Sequence, residues 1–326
     1  MCSRGDRLDV FLENGIHVRE GIKEVVLDPR KPTPAAIVSH AHMDHLIPGA
    51  LMTPETMEIM KVRTGLSEGS TLPYGEELDF NGFTVSFKEA GHVFGSAMVR
   101  IGDVLYTGDL NPEGGLTCGR AEGEKCDILV IEATYGKPNF TFPSKKFIEN
   151  DLLNWVSAQL EEVPVAIGAY EFGKAQELIA LMNRLDHDVV VTNPIADIAD
   201  VYRAHGIDLR YRRYDDITQE ERKEPHVFIV AKSRLKRPVS GEMVDFKNAG
   251  GRACYVSGWC GIYNYTNSYD IDAQFPFSDH GDFNSLMDFV KKCSPDVVYT
   301  CHGHPKDLAA EIRDNLGIRA EPVRKP

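Results

Sequence analysis

The segment His40-Ala41-His42-Met43-Asp44-His45 gathers three imidazoles and one carboxylate into six residues. It follows the apolar residues 36–38, which predict a buried strand. In an extended chain, residues two apart point the same way, so His40 and His42 can converge on one metal ion. Asp44 and His45 lie just beyond and can face a second ion. Because the donors are nitrogen and oxygen, without a thiolate, the cluster suits Zn²⁺ or Mn²⁺ in a catalytic site.

Three further candidate ligands follow predicted strands. His92 comes after residues 83–87, Asp109 after residues 104–106 and His302 after residues 297–299. Neighbouring glycines let the backbone turn sharply, so these side chains can reach a shared centre. The sequence therefore predicts a metal centre assembled from separated loops. His304, two residues past His302, remains a rival ligand.

Composition narrows the class of protein. The chain has 326 residues, 42% of them hydrophobic, which is enough for a sizeable core and argues against disorder. No apolar run is long enough to span a bilayer, and the charged residues 1–12 lack the apolar core of a signal peptide, so we expect a soluble, cytoplasmic protein. The net charge of −13 argues against a protein that coats nucleic acid by bulk attraction, although not against a local basic track. The 7 scattered cysteines contain no C-x-x-C pair, so they indicate neither a disulfide framework nor a zinc finger and predict reduced thiols.

Hydrophobic periodicity predicts an α/β chain. The first 140 or so residues are strand-rich, residues 144–272 alternate strands with helices, and the C-terminal part reads helix, strand, helix. Predicted helices span residues 145–160, 174–185, 194–205, 285–291 and 306–316, the last one capped by Gly317. Predicted strands span residues 36–38, 83–87, 97–101, 104–106, 128–131, 163–167, 189–191, 227–230, 254–256 and 297–299.

The order of these motifs resembles the metallo-β-lactamase superfamily. The matching positions are Asp28, His40 to His45, His92, Asp109 and His302. The resemblance implies that one zinc is held by His40, His42 and His92, that Asp44, His45 and His302 hold a second, and that Asp109 bridges them. It also implies that Asp28 orients the metal-binding loop; an ordinary turn aspartate is an equally weighted alternative.

Four further motifs resemble the β-CASP nucleases within that superfamily. They are Glu132 in Ile131-Glu132-Ala133-Thr134-Tyr135-Gly136, the segment Gly173-Lys174-Ala175-Gln176-Glu177, the segment Phe277-Ser278-Asp279-His280-Gly281-Asp282, and His302-Gly303. The nearest likeness is to the short exonuclease-like group, which includes DNA-ligase-associated exonucleases and relatives of the archaeal mRNA 3′-end-processing factors. Residues 260–267 depart from this group, since they lack the arginines expected there in the ligase-associated enzymes. Whether the substrate is RNA or DNA therefore stays open.

The resemblance implies a four-layer αββα sandwich with an inserted, smaller α/β domain of the β-CASP type. We therefore expect the core in residues 1–142 and 273–326 and the inserted domain in residues 143–272.

The implied activity is hydrolysis of phosphodiester bonds in RNA or single-stranded DNA by a metal-bridging hydroxide, exonucleolytic and leaving a 5′-phosphate. Two Zn²⁺ are expected, with Mn²⁺ as the alternative. Asp44, His280 and Glu132 are the expected catalytic residues, His280 contacting the phosphate and protonating the leaving oxygen while Glu132 orients its ring. The implied partners are nucleic acid, no membrane, and either a second copy of the chain or ligase- or helicase-type repair or RNA-processing proteins.

Substrate-binding candidates come from the same motifs and from basic clusters. The motifs supply Lys174, Gln176 and Ser278, although Lys174 can equally be an ordinary helix-face charge. Arg213 lies in a run in which arginines alternate with tyrosines, and Lys232 begins a second basic run. Cations bind phosphates and tyrosines stack on bases, but a solvated charged face explains these runs equally well.

Two other functions remain open. A small-molecule hydrolase, such as a glyoxalase-type thioesterase, shares the H-x-H-x-D-H core but lacks the Glu132 and His280 motifs. A non-catalytic subunit of an RNA-processing complex keeps the fold without the metals, whereas here every metal position carries a usable ligand.

Overall fold

The computed structural model describes residues 8–326. Residues 1–7, which begin both the segment 1–12 and the expected core segment 1–142, lie outside the described residues. Two compact units make up the chain. The first comprises the chain up to Thr141 together with His280–Pro326, and the second is Phe142–Asp279.

The first unit contains two mixed sheets and three helices. Its helices are α1 (Pro54–Thr64), α6 (Phe283–Cys293) and α7 (Pro305–Leu316). Its strands are β1 (Asp9–Leu12), β2 (Ile16–Glu20), β3 (Lys23–Leu27), β4 (Ala36–Ile37), β5 (Ala50–Met52), β6 (Gly69–Thr71), β7 (Glu77–Phe80), β8 (Phe83–Glu89), β9 (Ala97–Ile101), β10 (Val104–Tyr106), β11 (Ile128–Glu132), β18 (Val297–Cys301) and β19 (Arg319–Pro322).

Strand order explains how the loops of interest come together. One sheet runs β1-β2-β3-β4-β5-β6, and the other runs β19-β18-β11-β10-β9-β8-β7. In the second sheet, β10, β11 and β18 are parallel neighbours. Because parallel strands end at one edge, the residues that follow them meet there.

Three buried clusters hold the first unit together. One joins the facing sides of the two sheets, with Val18 and Leu27 from the first and Val85 and Val99 from the second. Another packs α6 and α7 against the opposite side of the second sheet, and a third packs residues around α1 against the first sheet. Along β8, the alternating Phe83, Val85 and Phe87 are buried, as the period of two predicts.

The second unit is built on one parallel sheet, in the order β14-β13-β15-β12-β16-β17. Its helices are α2 (Lys145–Leu160), α3 (Lys174–Met182), α4 (Asn193–Ala204) and α5 (Glu242–Asn248). Its strands are β12 (Val165–Ala169), β13 (Val189–Val191), β14 (Arg212–Arg213), β15 (Val227–Ala231), β16 (Arg252–Val256) and β17 (Ala273–Phe275).

Every helix and strand predicted from periodicity is present, most of them with ends shifted by a few residues. Residues 145–160 form α2 as predicted, and Gly317 caps α7 in the left-handed conformation. The helix predicted over residues 174–185 ends at Met182, because the following residues turn. Short or charge-rich elements such as β1 to β3 and α1 escaped prediction, although Thr53 as an N-cap and Gly65 as a C-cap mark α1.

Within residues 8–326, no helix combines the length and the apolar composition that crossing a bilayer requires. None of the cysteines in that range forms a disulfide.

We predict that Leu129→Ala lowers the free energy of unfolding by about 2–5 kcal/mol, because Leu129 on β11 is fully buried between the second sheet and its helices. Urea denaturation measures the change. Leu78→Ala on β7 is the matched control, since Leu78 is 38% exposed and its truncation should cost about 0.5 kcal/mol or less. Equal losses in the two variants would contradict the assignment of the core.

Candidate metal centre

Asp28 anchors the loop that carries the histidine cluster. It follows β3 with a positive φ of 44° and is buried. Its carboxylate accepts hydrogen bonds from the Ser39 backbone and hydroxyl and from the Tyr106 hydroxyl, each at 2.7 Å. Burial alone raises the pKa of Asp28, but His45 and the Ser39 hydrogen bonds outweigh it, and the pKa lies below its usual value. Asp28 is thus an ionised anchor rather than a turn residue facing solvent.

Three histidines converge on Asp109. His42 Nδ1 lies 3.0 Å from His40 Nε2 and 3.1 Å from His92 Nε2. Asp109 Oδ2 lies 3.6 Å from His40 Nε2 and 3.6 Å from His92 Nε2. One donor atom from each of these four side chains lies within 4.8 Å of all the others. The first predicted ligand group is therefore brought together, with Asp109 included.

The chemistry of this group fits a divalent metal ion. Burial, together with the positive charge of His45, His42 and other neighbouring histidines, lowers the pKa of His40 well below its usual value. A neutral imidazole has the lone pair that a metal needs. His40 Nδ1 lies 2.9 Å from the Ser39 hydroxyl, which fixes the ring so that Nε2 faces the centre.

The position of Asp109 beside the histidine loop depends on the preceding residue, Gly108. Gly108 has a φ of 53°, and a Cβ there would lie 2.7 Å from Ser39 Cβ. A side chain at this position would push the Asp109 loop away from the histidine loop. Burial raises the pKa of Asp109, although His45 and His280 act in the opposite direction.

His45, Asp44 and His302 are gathered more loosely. His45 Nε2 lies 3.8 Å from Asp44 Oδ2 and 3.9 Å from Asp109 Oδ2, and the ring centres of His45 and His302 are 5.5 Å apart. The Asp44 side chain is 82% exposed, and His302 is also exposed. Burial alone lowers the pKa of His45, but Asp28, Asp109 and Asp44 outweigh it and raise the pKa to about 10.

Glu132, which is fully buried, pairs with the half-buried imidazole of His280. His280 Nδ1 lies 2.8 Å from Glu132 Oε1, and Glu132 also accepts hydrogen bonds from the backbone of Leu110 at 2.7 Å and Thr134 at 3.0 Å. Burial alone raises the pKa of Glu132, but His280 and these hydrogen bonds outweigh it and lower the pKa to about 2. The ring of His280 lies 4.4 Å from that of His92, so the pair adjoins the histidine cluster.

Asp109, Glu132 and His280 also form a second group whose donor atoms lie within 4.8 Å of one another. From its motif, His280 is expected to be catalytic rather than a metal ligand. The geometry allows either role, and the metal content of a His280 variant distinguishes them.

His302 and His304 face different surroundings. His304 lies with its ring 5.1 Å from that of Phe140 and its Nδ1 3.9 Å from Asp307. Between them, Gly303 has a φ of 47°, and a Cβ there would lie 2.2 Å from the Ala133 carbonyl oxygen. This sharp turn leaves His302 beside His45 and His304 at the start of α7.

Two predicted substrate residues lie in the interior of the second unit. Lys174 is 3% exposed; its Nζ lies 2.8 Å from Asp279 Oδ1 and donates a hydrogen bond to the Phe277 carbonyl oxygen at 3.0 Å. Gln176 is fully buried, and its amide oxygen accepts a hydrogen bond from the Gly173 backbone at the start of α3. These contacts give both residues a structural role, and substrate binding by them stays a prediction.

The other three predicted substrate residues, Arg213, Lys232 and Ser278, lie in different surroundings. Arg213 lies 2.7 Å from Asp197 and 2.6 Å from Asp200, so two carboxylates already neutralise it. Lys232 lies over the ring of Tyr170, with Nζ 3.7 Å from the ring centre. Ser278 is half-buried, next to Asp279.

Sequence reasoning missed the groups that hold the site in place. Ser39 and Tyr106 bind Asp28, and Asp279 pairs with Lys174, which lies 105 positions earlier in the sequence. Ser39 had a signal, since it directly precedes His40. The contact of Tyr106 with Asp28 and the contact of Asp279 with Lys174 both depend on tertiary structure, so neither has a signature in the local sequence.

A family model described as the Zn-dependent metallo-hydrolase RNA specificity domain matches residues 270–322. The chain is 29% identical over 323 residues to a protein named "Probable DNA ligase" from Opitutus terrae, a match that covers 91% of this chain and 31% of the relative. It is 25% identical to "RNase aCSPSF2" from Saccharolobus solfataricus, covering 86% of this chain and 72% of the relative. It is 24% identical to an "RNase J-like protein" from Methanocaldococcus jannaschii, covering 84% and 82%.

Among solved structures, a protein of unknown function from Enterococcus faecalis V583 matches with a TM-score of 0.69 at 14% identity, over 97% of this chain and 98% of that one. This likeness concerns the fold alone. The chain spans about a third of the length of the ligase relative. The family model and these relatives, together with the histidine cluster and the Glu132–His280 pair, support the metallo-β-lactamase/β-CASP nucleases as the family that this chain is similar to.

Proposed function

We propose that this chain is a metal-dependent nuclease that hydrolyses phosphodiester bonds in RNA or single-stranded DNA. The observation that carries the proposal is the Glu132–His280 pair beside the His40, His42, His92 and Asp109 group. A proton donor next to a metal group is the arrangement that phosphodiester hydrolysis needs, because charge develops on the leaving oxygen. Two relatives named as RNases support the same conclusion.

We also propose that the first unit is the four-layer αββα sandwich and that the second is the inserted β-CASP-like domain. The shared cluster between two sheets, and the helices packed on their other sides, support the layered arrangement. The division at Phe142 and Asp279 supports an insertion between two parts of one core.

The residues fit two ions. His40, His42, His92 and Asp109 would hold one, and His45, Asp44 and His302 would complete a second around Asp109. We propose Zn²⁺, with Mn²⁺ as the alternative, since all donors are imidazole nitrogens or carboxylate oxygens. When bound, such ions lower the pKa of water and neutralise charge on phosphoryl oxygens.

The protein's own groups would orient the substrate and move the proton. Glu132, ionised and buried, accepts from His280 Nδ1, so it holds the ring in one orientation and favours its charged form. His280 can then contact the phosphate and give a proton to the leaving oxygen. We propose that a water oxygen bonds to phosphorus, that the bond to the 3′ oxygen breaks, and that this oxygen takes the proton from His280. The phosphate then stays on the 5′ end of the downstream product, and we propose that cleavage proceeds exonucleolytically.

We propose single-stranded nucleic acid as the substrate and a ligase or an RNA-processing protein as the partner. Support comes from the ligase relative, in which a stretch of similar sequence forms 31% of a longer protein. An end-labelled time course on RNA and DNA of one sequence, read for a ladder or for mononucleotides, tests substrate and mode together.

We predict that His42→Ala and Asp109→Ala each abolish cleavage of a labelled single strand and release metal. The loss should exceed the roughly 10–100-fold effect of removing an outer-shell partner, because a direct ligand is removed. Elemental analysis and a cleavage assay with added zinc or manganese measure the two effects. His187→Ala, an exposed histidine in the second unit, is the control.

Undiminished cleavage by either variant would contradict the metal assignment. If the unaltered protein hydrolyses thioesters in a panel and leaves oligonucleotides intact, the nuclease proposal is wrong.

We predict that His280→Ala keeps its metal and loses turnover by roughly 10²–10⁴-fold, as expected when a general acid is removed. Glu132→Gln should also lose turnover, with a smaller change in KM, because the ring loses its charged partner. Loss of metal from His280→Ala would instead make His280 a ligand.

We predict that His302→Ala lowers the bound metal and that His304→Ala does not, since only His302 lies beside His45. Elemental analysis of both purified variants measures this. The reverse result would transfer the ligand role to His304.

A further inference from the structure

Aromatic side chains gather at the carboxyl edge of the parallel sheet in the second unit. Strands β15, β12 and β16 are consecutive neighbours in that sheet. Because neighbouring strands lie about 4.8 Å apart, the three loops that follow them begin within about 10 Å of one another. Tyr170 follows β12, Lys232 follows β15, and Trp259 follows β16.

Tyr170 and Lys232 form the first half of this surface. The side chain of Tyr170 is 41% exposed, although it is a large aromatic residue. Lys232 Nζ lies 3.7 Å from the centre of its ring, a cation–π contact. Among the described residues, no ion pair with a carboxylate involves Lys232, so its charge remains available to an anion.

Trp259 and Tyr263 form the second half. Their ring centres are 5.9 Å apart with an angle of 31° between the planes, and Tyr263 is 53% exposed. The backbone of Tyr263 donates to the Trp259 carbonyl oxygen at 2.8 Å, and the Ser257 hydroxyl accepts from the Trp259 backbone. These bonds hold the two rings in a fixed relation.

A layer of packed tyrosines lies behind the carboxyl edge of β16. Tyr255 stacks on Tyr269 at 5.1 Å with an angle of 5°, and both are buried. The half-buried Tyr265 meets each of them edge-on at 5.1 and 5.7 Å. This packing fixes the segment that carries Trp259 and Tyr263.

Three arginines of the second unit are already paired with carboxylates. Arg212 pairs with Asp188 and Glu221, Arg213 pairs with Asp197 and Asp200, and Arg237 pairs with Asp270. Because these three arginines are paired and the chain has a net charge of −13, we expect charge alone not to carry the binding of a polyanion here. Residues 260–267, which follow Trp259, include two tyrosines and no arginine.

We propose that Tyr170, Trp259 and Tyr263, with Lys232, form a stacking platform for the unpaired bases of single-stranded nucleic acid. The inference deepens the proposed nuclease function and rests on it for the class of ligand. Every base has an aromatic face, so stacking tolerates any sequence. Paired bases hide those faces within the duplex, so the platform selects single strands.

The test measures binding of the full-length chain to a labelled 12-nucleotide single strand and to the duplex of the same sequence, by fluorescence anisotropy. The His280→Ala background prevents turnover of the probe. Tyr170→Ala and Tyr263→Ala should each weaken single-strand binding by about ten-fold, within the range measured for loss of one stacked base. Tyr263→Phe should restore it, because stacking needs the ring and not the hydroxyl.

Phe147→Ala is the matched control. Phe147 on α2 is 62% exposed, lies in the same unit, and is not part of the platform. Its removal should leave the Kd for the single strand unchanged, and the duplex should bind at least ten-fold more weakly than the single strand in the parent.

Salt dependence separates stacking from charge. Lys232→Met should reduce the slope of log Kd against log salt by about 0.7, the contribution of one phosphate contact on a single strand. Tyr263→Ala should leave the slope unchanged while weakening binding at every salt concentration.

Parent-like affinity in both Tyr170→Ala and Tyr263→Ala would overturn the platform, as would equal binding of duplex and single strand. Binding is measured without cleavage, so the two proposals fail separately. If the tyrosine variants lose single-strand affinity but the parent chain cleaves no oligonucleotide, the platform is supported and the nuclease proposal is wrong. If the parent chain cleaves oligonucleotides but the tyrosine variants bind as the parent does, the nuclease proposal is supported and the platform is wrong.

Discussion

The structure of the candidate site depends on the pairing of a crowded set of imidazoles with three carboxylates. The rings of His40, His42, His45, His92 and His280 surround a small volume, so a proton on one raises the energy of a proton on another. Burial adds to this effect at His40, whose pKa lies well below its usual value. Asp28, Asp109 and Glu132 lie beside these rings and supply the negative charge that balances a protonated ring.

Each of the three carboxylates lies beside different histidines. Asp28 balances His45 from the side of the first sheet, while Glu132 balances His280 from the end of β11. Asp109 lies between the two, within 4 Å of three imidazoles. The pKa of Glu132 falls to about 2 although the residue is fully buried, which shows that charge pairing and hydrogen bonding together exceed the cost of burial there.

Local sequence carried most of the information about the site. The H-x-H-x-D-H segment, the strand ends before His92, Asp109 and His302, and the Glu132 and His280 motifs all predicted residues that the fold brings close together. The substrate residues were less predictable, because charge pairing depends on partners far away in sequence. Lys174 meets Asp279, and Arg213 meets two aspartates of α4, and neither contact has a signature in the neighbouring residues. In the fold, long apolar runs were predictable, whereas the charged β1 to β3 hairpins became visible only once they were packed.

Glu132 holds two loops with one oxygen atom. Its Oε1 accepts both the Leu110 backbone N–H, next to Asp109, and the ring of His280. A carboxylate side chain one carbon shorter would withdraw by about 1.5 Å and could not reach both partners. The distance between the metal-binding loop and the imidazole is therefore set by the length of a single side chain, and drift in one of these loops is transmitted to the other.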